Sequence, residues 1–143
     1  MTTARYAAGT AVPVERSRAE LDTLLGKHGA TSRIIGMEDE PGKPRAALVG
    51  FKLGPHSFKL RVPLGGIAGF EKHSTRAALT RTAARDRERW RLIILLVKAK
   101  LEAIRLGVST PEREFMADLI VDDGRTLQEA LAGGGMSRLL LKA

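Results

Sequence analysis

The chain contains no cysteine. Disulfides, thiolate metal sites and a cysteine nucleophile are excluded together, a composition that fits a reducing compartment. Aromatic residues are scarce at 4%, with one Trp and one Tyr. Extensive base stacking therefore has little material to work with. Long apolar runs are missing too: the longest, Leu92 to Val97, falls far short of the roughly 20 residues a membrane span needs. The opening stretch MTTARYAAGTAVPVERSRAE has no apolar signal-peptide core. A cytoplasmic protein with no membrane partner is expected. The three histidines, His28, His56 and His73, show no metal-ligand spacing, so no metal and no cofactor are expected.

What the sequence has in surplus is positive charge. Lys and Arg number 24 against 16 Asp and Glu, a formal net charge of +8 and a pI near 10.4. Such an excess on a small domain favours an anionic partner, nucleic acid first and an acidic protein or membrane surface next. A length of 143 residues with 43% hydrophobic content suits one globular domain.

Along the chain, residues 1–12 are small and polar and read as a flexible arm, 13–132 as a single α+β domain, and 133–143 as a glycine hinge with an apolar, basic tail. Pro13 suits a first helical turn, and Val14, Leu21, Leu24 and Leu25 gather on one side of the helix that follows, which Gly26 and Gly29 end. Three strands come next, over 31–37, 45–53 and 58–64, joined by the turns EDEPGKP and GPHS. In the third, Phe58, Leu60 and Val62 alternate with Lys59 and Arg61; in the second, Ala47, Val49, Phe51 and Leu53 alternate with Leu48, Gly50 and Lys52. A period of two predicts an antiparallel meander with an apolar face and a basic one. The stretch 65–86, rich in glycine, threonine and charge, reads as a loop turning helical at its end, and a long helix is expected from about Arg85 to Leu106, stopped by Gly107. Ser109 or Thr110 caps a further helix over 109–120 with Pro111 at its first position, and VDDGRTLQEAL, 121–131, offers a turn followed by a last short helix.

The long helix sets cations into an aliphatic run: RERWRLIILLVKAKLEAIRLG. At about 100° per residue, Arg87, Arg91, Lys98 and Arg105 fall within roughly 40° of one another, with Arg85, Arg89 and Lys100 nearly opposite. Trp90, Ile93, Val97, Leu101 and Ile104 form an apolar arc between the two, and Leu92, Leu95, Ala99 and Leu106 form a second apolar flank. A helix apolar on two sides is expected to meet the sheet on one and other helices or a second subunit on the other. Long cationic stems lying along apolar surface account for any one of these residues; clustered guanidinium groups also suit bidentate phosphate contacts.

Catalytic signatures are absent. The glycines at 65–69 are not followed by Gly-Lys-Ser/Thr, and no serine has a nucleophile elbow. Asp118, Asp122 and Asp123 could serve a magnesium nuclease, but Asp-Asp-Gly is the chemistry of a turn. No enzyme is expected.

The segment RERWRLIILLVKAKLEAIRLGVSTPEREFMADLIVDDGRTLQEAL resembles a family of small phage and prophage proteins whose pattern RxRWRxLxLxxKAKLEA is matched by Arg87, Arg89, Trp90, Arg91, Lys98, Lys100, Leu101 and Glu102. The resemblance implies a phage setting and no particular activity. The order helix, three-stranded meander, long basic helix is also similar to the core of phage-type single-strand annealing recombinases. That similarity implies rings or filaments holding a nucleic-acid backbone in a basic groove between sheet and helix. The expected function is a non-catalytic binder of nucleic acid, single-stranded DNA favoured, that self-associates and lines a phosphate path with Lys52, Lys59, Arg61, Arg87, Arg91 and Lys98. The alternative is a phage interaction protein whose basic face meets an acidic surface on a host defence or replication protein.

Overall fold

Alternating burial along two neighbouring strands sets the architecture. A computed structural model of the chain describes residues 5–121 and 124–135. Its elements are α1 (Val14–Lys27), β1 (Thr31–Glu38), β2 (Pro44–Leu53), β3 (His56–Ile67), α2 (Arg76–Arg105), α3 (Pro111–Glu114) and α4 (Leu127–Ala130). The fold is α+β, with the helix, the antiparallel meander, the long helix and the short C-terminal helices in the expected order. β2 is the central strand and pairs antiparallel with both neighbours. Leu53 pairs with His56 across a two-residue connection, where Gly54 at φ +63° supplies the left-handed first position of a II′-type hairpin.

Ala47, Val49, Phe51 and Leu53 of β2 and Phe58, Leu60 and Leu64 of β3 are buried on one face, while Lys52 and Arg61 on the other are exposed. α1 and α2 cover the buried face. Leu21 and Leu25 come from α1 and Trp90, Ile93, Ile94, Val97 and Leu101 from α2, joining the strand residues in a single core. Phe115, just past α3, closes one end of it. Its ring lies edge-on to Phe51 at 5.2 Å and tilted to Phe58 at 5.6 Å, the geometry that aromatic quadrupoles favour. Beyond it Leu119 bridges Phe58, and Ile120 donates to the Ser57 carbonyl at 2.9 Å, extending the sheet at the free edge of β3.

α2 starts earlier than the sequence suggests. Thr75 caps it, its hydroxyl accepting from the Ala78 amide at 3.2 Å, and the helix begins at Arg76 inside the stretch expected to be a loop. Every buried side chain of α2 lies at or beyond Glu88. Its first ten residues therefore leave no amphipathic trace in the sequence, although they are helical. β3 likewise runs on to Ile67. The helix expected over 109–120 is only one turn long: Thr110 and Pro111 start it as expected, but the chain passes into a 3₁₀ turn at Met116–Asp118 so that Phe115 can enter the core.

Among the described residues nothing covers the second apolar flank of α2 fully: Leu95 is 41% and Leu106 65% exposed. Of the expected arm, residues 5–12 run beside α2, Arg5 donating to Glu88 at 2.6 Å and Arg87 donating to the Thr10 carbonyl at 3.3 Å. Of the expected hinge and tail, residues 136–143 lie outside the described residues.

Trp90 is fully buried and the largest side chain in the core, with the Arg18 guanidinium 5.8 Å from its ring centroid. Truncating it leaves a cavity that two helices and a sheet cannot all collapse into. Trp90→Ala should cost about 3–5 kcal/mol in denaturant unfolding, and the wild-type tryptophan emission should be blue-shifted. A red-shifted emission with a loss below about 1 kcal/mol would remove Trp90 from the core.

Candidate nucleic-acid interface

The six cations singled out in the sequence separate into two groups. Lys52, Lys59 and Arg61 alternate with buried residues on β2 and β3, so they point away from the face that α2 covers. Arg87, Arg91 and Lys98 lie on α2, on the other side of the sheet. The backbone of the sheet stands between them, and the expected groove between sheet and helix is filled by the core. The six do not line one path.

On the outer sheet face Arg61 donates across β2 to Glu38 at 2.7 Å, and Lys59 pairs with Glu129 at 3.7 Å. Lys52 has no ion pair among the described residues. Lys52 and Lys59 border a shallow depression floored by Ile34, Leu48, Gly50 and Ile120, and Arg61 lies outside it.

On the helix side, the stripe of Arg87, Arg91, Lys98 and Arg105 runs along the seam between α1 and α2, and part of its charge is spent locally. Arg91 donates to Glu20 through both terminal guanidinium nitrogens, at 2.6 and 3.4 Å, and tethers α2 to α1. Arg105 pairs with Glu102 at 2.8 Å, and Arg87 holds the arm through Thr10. Lys98 is exposed and makes no ion pair among the described residues. Around it, Arg16 and Lys27 of α1 keep the seam positive. Of the opposite group, Lys100 donates to the Glu114 carbonyl at 2.6 Å with its ammonium 5.5 Å from the Phe115 ring centroid, and Arg89 donates to the Pro63 carbonyl at 2.7 Å. Both fasten the fold.

Arg45 was not singled out, yet it decides where α2 leaves the core. Buried on the inner face of β2, it pairs with Asp86 at 2.6 Å, also donates to the Gly65 carbonyl, and stacks its guanidinium 5.2 Å from the Phe70 ring centroid. Beyond this clamp, towards the N-terminus, the helix buries no side chain. Here Arg76, Arg81 and Arg85, with Lys72 just before the helix, make no ion pair among the described residues. The acids on either side are Glu71 and the clamped Asp86. Gly65, at φ +87°, leaves the space that Arg85 uses: a β-carbon there would sit 3.2 Å from Arg85 Nη1. The signal for this segment is present in the sequence as Ser-Thr before Arg-Ala-Ala-Leu, a helix start without an apolar stripe to support it.

Among the described residues no three His, Asp or Glu side chains converge as a metal site would require. Asp118 is described, but Asp122 and Asp123 lie outside the described residues. Burial pushes the Asp118 carboxyl above the ordinary range, partly offset by the charge of Lys100. Three glutamates shift the other way. The hydrogen bond from Arg91 holds Glu20 low against the cost of burial, with Arg16 and Lys98 adding attraction; Arg5 does the same for Glu88 and Arg105 for Glu102.

A folded-state value below the unfolded one gives stability that is fully present above the ordinary carboxylate range and is lost as the pH falls through the depressed value; a raised value reverses the sign. In a carboxyl-carbon NMR titration, Glu20, Glu88 and Glu102 should titrate below the ordinary glutamate value and Asp118 above the ordinary aspartate value. A normal midpoint for Glu20 would mean that the Arg91 tether does not form. No protein-family model, curated protein or solved structure matches this chain, and its charge pattern is what bears on its function.

Proposed function

We propose that the chain binds nucleic acid through the phosphate backbone and carries out no chemistry on it. The observation that supports this most is the segment Lys72–Arg85: Lys72 just before α2 and Arg76, Arg81 and Arg85 on its first turns make no ion pair among the described residues, and those turns hold no fully buried side chain. Cations left over after local pairing release counterions when phosphates replace them, and that release drives backbone binding. Lys98, Arg16 and Lys27 on the α1–α2 seam extend the same potential. Arg87 and Arg91, held by Thr10 and Glu20, mainly fix the arm and α1 in place. The phage setting implied by the family resemblance suits such a protein and is part of the proposal.

Self-association belongs to the same reading. Leu92, Leu96, Ala99, Ala103 and Leu106 follow a 4-3-4-3 spacing on the uncovered side of α2, the spacing of a coiled-coil seam. Two copies carry the same seam, so the contact is self-complementary.

Affinity for mixed-sequence oligonucleotides should fall steeply with salt, and Arg81→Ala or Lys98→Ala should each lower the log–log slope by roughly 0.7 to 0.9 without loss of fold. In the same buffers light scattering should report a dimer or larger, reverting to monomer with Leu96→Glu. Negligible oligonucleotide binding at low salt would overturn the proposal and favour an acidic protein as the partner. A monomer at high concentration would remove the seam.

A further inference from the structure

We infer that the nucleic acid is duplex DNA, and that the projecting first turns of α2 enter its major groove. The inference rests on the backbone-binding proposal and names its substrate.

Two observations carry it. The first concerns bases. Sequence-tolerant binding of single strands relies on aromatic side chains on which bases stack. Here Trp90, Phe51, Phe58 and Phe115 are buried in the core, and Phe70 lies under the Arg45 guanidinium. Tyr6, on the arm, is the remaining aromatic. No platform of neighbouring rings faces solvent, so the single-strand preference expected from the sequence lacks the groups that would create it.

The second concerns shape. The major groove of B-DNA is about 12 Å wide and admits an α-helix. Arg76 to Arg85 spans roughly 15 Å of helix. Its exposed face is Ala77, Thr80, Arg81 and Ala84, at i, i+3, i+4 and i+7. Three of these are small, so the helix backbone can approach base edges closely, and Arg81 is long enough to reach a guanine edge. Arg76 and Arg85 lie about 90° to either side of that face. Arg76 is placed to meet one of the two phosphate ridges that wall a groove; Arg85, on the side of the other, would reach it by leaving its seat over Gly65, and Lys72 precedes them at the end of the segment. The major groove of an A-form RNA duplex is too narrow and deep for the same insertion.

The test is fluorescence anisotropy of one labelled mixed-sequence DNA duplex, each of its separate strands, and the matching RNA duplex, at one ionic strength. Wild type should bind the DNA duplex roughly tenfold or more tightly than either strand or the RNA duplex. Ala77→Leu with Ala84→Leu keeps good helix formers in a segment that buries no side chain, so the double variant should fold normally, as checked by circular dichroism. It should lose that duplex preference while single-strand binding stays unchanged. Equal or tighter binding of single strands, or a double variant that keeps full duplex affinity, would overturn the groove inference and leave the backbone proposal standing. Failure to bind any of the four ligands would overturn both.

Discussion

A three-stranded sheet has one face to bury and too little area to form a core alone, so the apolar arc of α2 from Trp90 to Leu101 is the contact on which the remainder of the molecule depends. That arc presses on β2 and β3, and α1 fills the space beside it. Phe115 can seal the end only because Phe51 and Phe58 are already held facing the helix. At the other end, the largely buried Arg45–Asp86 pair sets the limit of the packed part of α2. Removing one partner from a fully buried pair costs about 3–5 kcal/mol, an upper bound for this one because Asp86 keeps some solvent contact, whereas an exposed pair such as Arg61–Glu38 contributes at most about 1 kcal/mol. The clamp therefore divides α2 into a structural half and a free half.

Charge follows the same division. Within the packed half, acids meet cations at short range: Glu20 with Arg91, Glu102 with Arg105, Asp86 with Arg45, and Glu88 with Arg5 from the arm. In the free half, Arg76, Arg81 and Arg85 make no ion pair among the described residues, although the charge of Arg85 helps hold Glu88 low. A helix can thus be a core element and a polyanion-binding surface without conflict, because the two tasks occupy different turns. Rigidity in one half positions the other: an α-helix propagates its axis, so anchoring Trp90 fixes the direction in which Arg81 points.

The strands were legible because their signal is local. Alternation of Phe58, Leu60 and Leu64 with Lys59 and Arg61 requires no knowledge of the partner. The same alternation also implied that Lys59 and Arg61 could not share a groove with α2, since the helix must cover the face opposite to them; the expected phosphate path overlooked this consequence. Trp90 was legible as core from its place on the apolar arc. The start of α2 was not, because residues 76–85 hold no fully buried side chain and show no clear apolar periodicity, leaving only the Thr75 cap as a sign. Pairings such as Arg91 with Glu20 or Arg45 with Asp86 join residues far apart in sequence, and only the packing of α1 and β2 against α2 brings them together.

The central claim is that α2 is one continuous helix with a buried anchor and a free basic end. Residue-resolved hydrogen exchange, with and without an oligonucleotide, reads both halves at once. The account predicts that amides from Trp90 to Leu101 exchange only through global unfolding and do not change on binding. Those from Ala77 to Arg85 should exchange faster in the free protein and slow when the oligonucleotide is added. Uniform protection along α2 that the ligand leaves unaltered, or new protection confined to the outer face of β2 and β3, would contradict it.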